Sequence, residues 1–72
     1  MLELDPKMRL LFWLCDAQNW YTREIRHFKP RELAVILGTT RQLISRTLKD
    51  WKTIGLVSYR IKSYTYSVKL NY

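Results

Sequence analysis

The chain lacks a long apolar run, and its longest uninterrupted one, from Leu10 to Cys15, has only six residues. A helix that crosses a membrane needs about 18 or more consecutive apolar residues, so we expect no membrane-spanning segment. A secretory leader is not expected either, because a proline and charged side chains fall within the first seven positions. These two absences predict a cytoplasmic protein that does not act at a membrane.

Cysteine and histidine are equally scarce, with one of each, Cys15 and His27, in 72 residues. A single cysteine cannot form an internal disulfide, which agrees with a reducing compartment, and this pair does not make a metal-ligand set. The two glycines form no phosphate-cradling loop, and no histidine–acid pair marks a catalytic group. The sequence therefore predicts a protein without catalytic activity, cofactor or metal.

Acidic residues become rare after the first third of the chain. Residues 23–72 carry eleven lysines and arginines against three acids, whereas residues 1–22 carry a slight excess of acid. The formal net charge of +7 is therefore concentrated in the later segment. A basic segment with few acids indicates a polyanionic partner. Charge alone does not distinguish nucleic acid from an acidic membrane surface or an acidic protein.

What the chain has in quantity is apolar and aromatic side chains, which make up 47% and 14% of its residues. In a chain this short they support one small core, so residues 1–72 are predicted to form a single domain. Asp5 as N-cap and Pro6 in the first turn predict a helix over about residues 6–20. Apolar side chains surround much of this helix, so we expect cover on more than one side, from another subunit or from a missing domain.

The middle of the chain predicts two helices joined by a tight turn. The first starts at Pro30, which suits the first helical position, and stops at Gly38. Thr39 or Thr40 then caps a second helix that extends to about Thr53. Two helices separated by so short a glycine-containing turn are typical of a helix-turn-helix motif.

Two further segments have the composition of β-strands. A short strand is predicted around residues 24–27, and residues 56–70 alternate between apolar and polar side chains on either side of a break near 62–63. The second pattern predicts a β-hairpin after the helix-turn-helix segment, residues 30–53. The expected fold is therefore α+β, a small winged helix-turn-helix of three helices and a C-terminal β-hairpin wing.

The second helix of the motif has a polar side without acids. In a winged helix-turn-helix this helix lies in the major groove of DNA, with its N-terminal residues nearest the bases. Arginine pairs bidentately with guanine and glutamine with adenine, whereas serine makes single contacts. We therefore predict base reading by four residues of this side: Arg41, Gln42, Ser45 and Arg46. The alternative is an ordinary solvated helix face, although such faces usually mix the two signs of charge.

Other polar residues suit the phosphates that flank such a site. They lie at the start of the first motif helix, in the turn, further along the second helix and on the wing: Lys29, Arg31, Thr39, Thr40, Lys49, Lys52, Arg60, Lys62 and Ser63. The tyrosines of the hairpin, Tyr59, Tyr64 and Tyr66, have two interpretations. They stack on the bases of a single strand, or they pack against one another across the hairpin, which we favour.

The segment "PRELAVILGTTRQLISRTLKDWKTIGLV" resembles the C-terminal DNA-binding domain of the Crp/Fnr family of bacterial transcription regulators. The specific parts are "ELA..LG", the "SR.L" core and the "GLV" before the wing, and the opening "LDPKMRLLFWL" is also similar to that family. The resemblance implies a transcription regulator that binds double-stranded DNA. It also implies base reading by Arg41, Gln42 and Arg46, with Ser45 as an additional contact.

The chain departs from the pattern of this family in several places. The family commonly has glutamate where Gln42 stands, usually caps the first motif helix with serine or threonine rather than Lys29, and usually has a short wing with glycine at its tip. Family members also carry an N-terminal β-barrel sensor and a dimerisation helix, neither of which fits in 72 residues. We therefore expect an excised domain or a stand-alone relative that forms a homodimer, or meets a missing N-terminal sensor domain, through its first helix.

Two other functions agree with the same residues. The fold also serves as a protein-interaction module, for which the Arg41 and Arg46 side would tolerate substitution. It also occurs in plasmid or viral replication and partition proteins, which bind DNA without controlling a promoter. The operator sequence, the effector and the direction of regulation do not follow from the residues.

Overall fold

The computed structural model of the chain describes residues 5–15 and 25–71. In these two segments the chain forms three helices and three strands, which confirms the predicted α+β winged helix-turn-helix class. In chain order they are α1 (Pro6–Leu14), β1 (Arg26–Phe28), α2 (Pro30–Leu37), α3 (Arg41–Thr53), β2 (Val57–Lys62) and β3 (Thr65–Leu70). Within the described segments, no helix has the length and apolar character to span a bilayer.

Helix α1 begins as its sequence predicts. The Asp5 side chain accepts a hydrogen bond from the backbone N–H of Lys7 at 2.8 Å, and Pro6 occupies the first turn. The helix ends at Leu14, with Cys15 as C-cap. The predicted helix over about residues 6–20 is therefore wrong at residue 15, which lies beyond the last helical residue. The sequence offers no glycine at this end to mark a stop. The rest of that extension, residues 16–20, lies outside the described residues.

The helix-turn-helix boundaries agree with prediction because each one is set by local backbone chemistry. Gly38 takes the left-handed conformation (φ 69°) at the end of α2, where a residue with a Cβ would be strained. The Thr40 hydroxyl accepts a hydrogen bond from the N–H of Leu43 at 3.2 Å and so caps α3. Lys29 stands at the N-cap of α2 without a side-chain hydrogen bond to that helix end.

The strands form one antiparallel sheet in the order β1-β3-β2. The register pairs Val57 with Leu70 and Tyr59 with Val68 on one face of the hairpin, as the alternating sequence predicts. Strand β1 pairs with β3 and brings Phe28 opposite Tyr66. It starts two residues later than the predicted strand around 24–27, of which residue 24 lies outside the described residues.

The core joins all three helices to the inner face of the sheet. Among the described residues, ten apolar side chains are buried there: Leu10, Leu14, Phe28, Leu33, Ala34, Ile44, Leu48, Val57, Val68 and Leu70. Each large one stabilises the fold by about 1.5–3 kcal/mol through its removal from water. Trp51 packs partly buried against them, in agreement with its predicted core role. Since α3 contributes Ile44 and Leu48, the core helps to fix its orientation.

A row of four aromatic rings crosses the inner face of the sheet. Trp13 meets Phe28 edge-on at 5.3 Å between ring centroids, Phe28 stacks on Tyr66 at 5.9 Å, and Tyr66 stacks on Tyr59 at 5.5 Å. The guanidinium of Arg26 lies 3.8 Å from the centre of the Trp13 ring. The predicted packing across the hairpin is therefore confirmed for Tyr59 and Tyr66.

Candidate nucleic-acid interface

One side of α3 is left exposed once the core is formed. Arg41, Gln42, Arg46 and Lys49 are exposed, whereas Ile44 and Leu48 on the opposite side are fully buried. The exposed side has three cations and one amide, and the nearest acid of the helix, Asp50, lies beyond this arc. The predicted polar side therefore forms a basic surface with an outward-facing glutamine, free to meet another molecule.

Two members of the polar side contact the sheet, the half-buried Ser45 and the exposed Lys52. Ser45 is half-buried, and its hydroxyl accepts a hydrogen bond from the Tyr66 hydroxyl at 3.3 Å. The ammonium group of Lys52 lies 4.9 Å from the centre of the Tyr59 ring, at cation–π distance. The polar side thus divides into an edge that contacts the sheet and a centre formed by Gln42, Arg46 and Lys49.

A cleft of about 550 Å³ separates the start of α3 from the start of α2 and from the end of the hairpin. Three cations line it on the helical side, Lys29, Arg31 and Arg41. Ile61 and Tyr64 line it on the hairpin side. Lys29 makes no side-chain hydrogen bond to the start of α2, so the positive end of the helix dipole adds to the cations at the cleft, while Glu32 in the same turn opposes them. The cleft is suited to a negatively charged group.

The two threonines of the turn make hydrogen bonds within the fold. The Thr40 hydroxyl is used by the N–H of Leu43, and the N–H of Thr39 donates to the Ala34 carbonyl at 2.9 Å. Thr39 is half-buried, whereas Thr40 is exposed. Of the two, Thr40 is the one whose exposed side chain lies at the surface next to Arg41.

The predicted phosphate contacts of the wing lie on a different face from those of the helices. Arg60 pairs with Ser67 and Lys62 with Thr65, on the side of the sheet opposite the buried Val57 and Val68. Strand alternation therefore directs these two cations away from α3. Ser63 lies in the turn between β2 and β3 with φ 51°. The cations predicted for DNA contact thus form two groups. The helical group lies around α3, and the wing group consists of Arg60 and Lys62.

Two residues of this region were not among the predicted DNA contacts. Tyr66 fixes Ser45 by its hydrogen bond, and Tyr64 lines the cleft with 87% of its surface exposed. The predicted packing of Tyr64 against the other hairpin tyrosines is wrong, because residues 63–64 form the turn rather than continue a strand. The signal in the sequence was the absence of glycine at this turn, because any other residue exposes a side chain there.

A second exposed region is apolar and lies between α1 and α2. Phe12, Val35 and Ile36 are 52%, 80% and 70% exposed, and they border a shallow cleft beside Gly38. Arg9 crosses this region and donates a hydrogen bond from its guanidinium to the Leu37 carbonyl at 2.6 Å. Among the described residues, this region is the apolar surface that α1 and α2 share.

Residues 8–69 match the family model described as Crp-like helix-turn-helix domain. No curated protein and no solved structure matches the chain. Because the family model spans most of the sequence, the chain belongs to the family of Crp-like helix-turn-helix domains, and the resemblance found in its motifs is confirmed. Membership implies DNA binding, in a family of non-enzymatic domains that act in transcription regulation.

Proposed function

We propose that this Crp-like helix-turn-helix domain binds double-stranded DNA sequence-specifically and regulates transcription in the manner of Crp/Fnr-type regulators. The observation that carries the proposal is the exposed, acid-free side of α3, held at a fixed angle by Ile44 and Leu48. In this geometry the helix enters the major groove with its N-terminal residues toward the bases. The cytoplasm is the compartment in which such a domain meets the chromosome.

Four residues of α3 are proposed to read bases, Arg41, Gln42, Ser45 and Arg46. Arg46 and Gln42 lie at the exposed centre of the surface, where their side chains can make a bidentate contact to guanine or adenine. Ser45 already accepts a bond from Tyr66 and would use its hydroxyl proton for the DNA. Glutamine in place of the usual glutamate favours adenine over cytosine at the base that Gln42 meets.

Affinity would come mainly from phosphate contacts. The proposed set is Lys29, Arg31, Thr39, Thr40, Lys49, Lys52, Arg60, Lys62 and Ser63. Each contact releases a condensed counterion, so binding weakens steeply as salt rises. Lys29 and Arg31 act together with the exposed N-terminus of α2, which is suited to a phosphate oxygen. The wing group, which faces away from α3, would reach the backbone beyond the bases that α3 reads.

A palindromic site would follow if the domain acts as a homodimer, with recognition helices about 34 Å apart. The exposed apolar residues between α1 and α2, Phe12, Val35 and Ile36, support a protein contact on that side. A second copy and a missing N-terminal sensor domain are both compatible with it. The same residues would serve a protein-interaction module, the rival function.

A selection from random duplexes tests the DNA proposal. The domain should enrich one motif, and Arg46→Ala should lose that motif or relax it at one base pair, at a cost of about 1–3 kcal/mol in discrimination. Lys7→Ala is the matched control, because Lys7 is an exposed cation of α1 outside the interface, and it should select the unchanged motif. Failure of the unaltered domain to enrich any motif would sink sequence-specific binding.

A promoter reporter then separates a regulator from a replication or partition protein. A regulator should change expression from a promoter that carries the selected motif, and Arg46→Ala should abolish the change. Binding in vitro with no effect on any promoter arrangement would favour replication or partition. Unaltered partner capture by a variant with both Arg41 and Arg46 replaced, together with no DNA selection, would favour the interaction module.

A further inference from the structure

The turn between β2 and β3 has an unusual backbone for its residues. Ser63 and Tyr64 form a two-residue connection closed by the pair of Lys62 and Thr65. Both turn residues have positive φ, 51° and 64°, as a type I′ turn requires. Asparagine and glycine normally occupy these positions, since a Cβ is disfavoured in the left-handed region. Serine and tyrosine therefore make this turn less stable than it could be.

The free chain gains little from tyrosine at this position. Tyr64 is 87% exposed, whereas Tyr59 and Tyr66 are half-buried and stacked on each other. Its neighbour on the inner face of the hairpin, Ile61, is also 56% exposed. An unfavourable backbone combined with an exposed aromatic ring is typical of a residue kept for contact with another molecule.

The position of the ring indicates which molecule that is. Tyr64 and Ile61, together with Tyr66, form the hairpin wall of the 550 Å³ cleft, whose helical side carries the cations Lys29, Arg31 and Arg41. A cleft with cations on one side and apolar carbon on the other matches a sugar–phosphate backbone, whose phosphates are anionic and whose deoxyribose faces are largely apolar. Free phosphate would satisfy the cations but leave the Tyr64 ring in water.

We propose that Tyr64 is a DNA-contacting residue. One strand of the bound duplex lies in the cleft, where its phosphates face Lys29 and Arg31 next to the base-reading Arg41, and the Tyr64 ring packs on the deoxyribose beside them. The strained turn holds the ring at this place before DNA arrives. This inference rests on the proposed duplex binding and adds to it an apolar contact that is independent of salt.

Tyr64→Gly tests the inference because we expect it to raise the stability of the domain and to lower its affinity for duplex DNA. Glycine accepts φ 64° without strain, so we expect a higher melting temperature than that of the unaltered domain. Loss of the ring should weaken duplex binding about tenfold, the loss expected for one apolar aromatic contact. Titration of the selected duplex by fluorescence anisotropy and a thermal melt of the same sample measure the two quantities.

Two further variants keep the result interpretable. Tyr64→Phe retains the ring and should keep most of the affinity that glycine loses. Ile25→Ala truncates an apolar residue that is 51% exposed outside the cleft and should leave duplex affinity unchanged. The slope of log affinity against log salt should stay the same for Tyr64→Gly, because the ring neutralises no phosphate. An equal affinity of Tyr64→Gly and the unaltered domain would overturn the inference while duplex binding stands.

Chemical protection provides a readout that does not depend on any variant folding. Nitration of the free domain followed by mass spectrometry should modify Tyr64 before the half-buried Tyr59 and Tyr66, and saturating duplex should protect Tyr64. Continued nitration of Tyr64 in the saturated complex would also overturn the inference. Protection by a single strand but not by the duplex would overturn it as well, in favour of base stacking. If the unaltered domain binds no duplex at all, the proposed function itself fails.

Discussion

Along α3, two sides of one helix meet different requirements. The inner side buries Ile44, Thr47 and Leu48, each at most 1% exposed, whereas the outer side exposes Gln42 and Arg46. The inner side requires side chains whose volume fills the core, because closely packed apolar contacts stabilise a domain with so small a core. The outer side requires particular donors and acceptors at its surface. A substitution on one side should therefore change the free energy of unfolding or the affinity for DNA, but not both directly.

The largest expected effect on this comparison comes from Leu48→Ala. Leu48 is 0% exposed, and truncation of such a residue costs about 2–5 kcal/mol through lost burial and the cavity left behind. Small domains have a total stability of about 5–15 kcal/mol, so the melting temperature should fall far or the domain should unfold. DNA binding would be lost only in proportion to unfolding, as urea titration alongside duplex titration would measure.

The matched control for Leu48→Ala is Ile54→Ala. Ile54 follows the last residue of the same helix but is 70% exposed, so its truncation should change stability by less than about 0.5 kcal/mol. Similar losses for the two variants would mean that burial on the inner side does not determine stability. A fully folded Leu48→Ala variant that no longer binds DNA would show that the two sides are not separate.

Much of this division could be predicted from the sequence. The caps at Asp5 and Thr40 and the stop at Gly38 are places where the backbone itself prefers particular residues, so the helix starts and the turn were predictable. The apolar and polar sides of α3 follow from a period of 3.6 residues. The end of α1 was not predicted, since no residue near Leu14 carries a comparable local signal.

The contacts between α3 and the wing could not be predicted in the same way. The bond from Tyr66 to Ser45 joins residues 21 positions apart and depends on how the sheet packs on the helix. The exposure of Tyr64 depends on the exact turn, because a turn one residue earlier would place this ring in the strand and on the face that holds Tyr66. Such features follow from register and tertiary packing, which alternation alone leaves open.

Thr47→Val, also on the inner side of α3, should change the free energy of unfolding less than Leu48→Ala does, and it should raise it. Among the described residues, the Thr47 hydroxyl is buried at 1% exposure and has no hydrogen-bond partner. Valine has nearly the same shape and removes this unsatisfied group, so the domain should gain about 1 kcal/mol of stability. A thermal melt should show a higher midpoint, and duplex affinity should stay unchanged.

Thr53→Val is the matched control for this substitution. The Thr53 hydroxyl is exposed and donates to the Lys49 carbonyl at 3.0 Å, so its replacement should gain nothing. Equal gains for Thr47→Val and Thr53→Val would indicate a general preference for valine in this helix. A loss of stability for Thr47→Val would show that its hydroxyl is satisfied in solution.

The last expected effect, similar in size to that of Thr47→Val, concerns Ser45, which lies at the boundary between the two sides. Removal of its bond to the sheet by Tyr66→Phe should cost about 0.5–1.5 kcal/mol of stability, and Ser45→Ala should cost a similar amount. The double variant should cost less than their sum, because both remove the same bond. Duplex affinity decides the role of Ser45. If it reads a base, Ser45→Ala should weaken binding in the Tyr66→Phe background as well. If Ser45 only positions α3, Tyr66→Phe alone should weaken binding as much as the double variant does. Ser45 would then act on the position of the helix, as the residues of the inner side do.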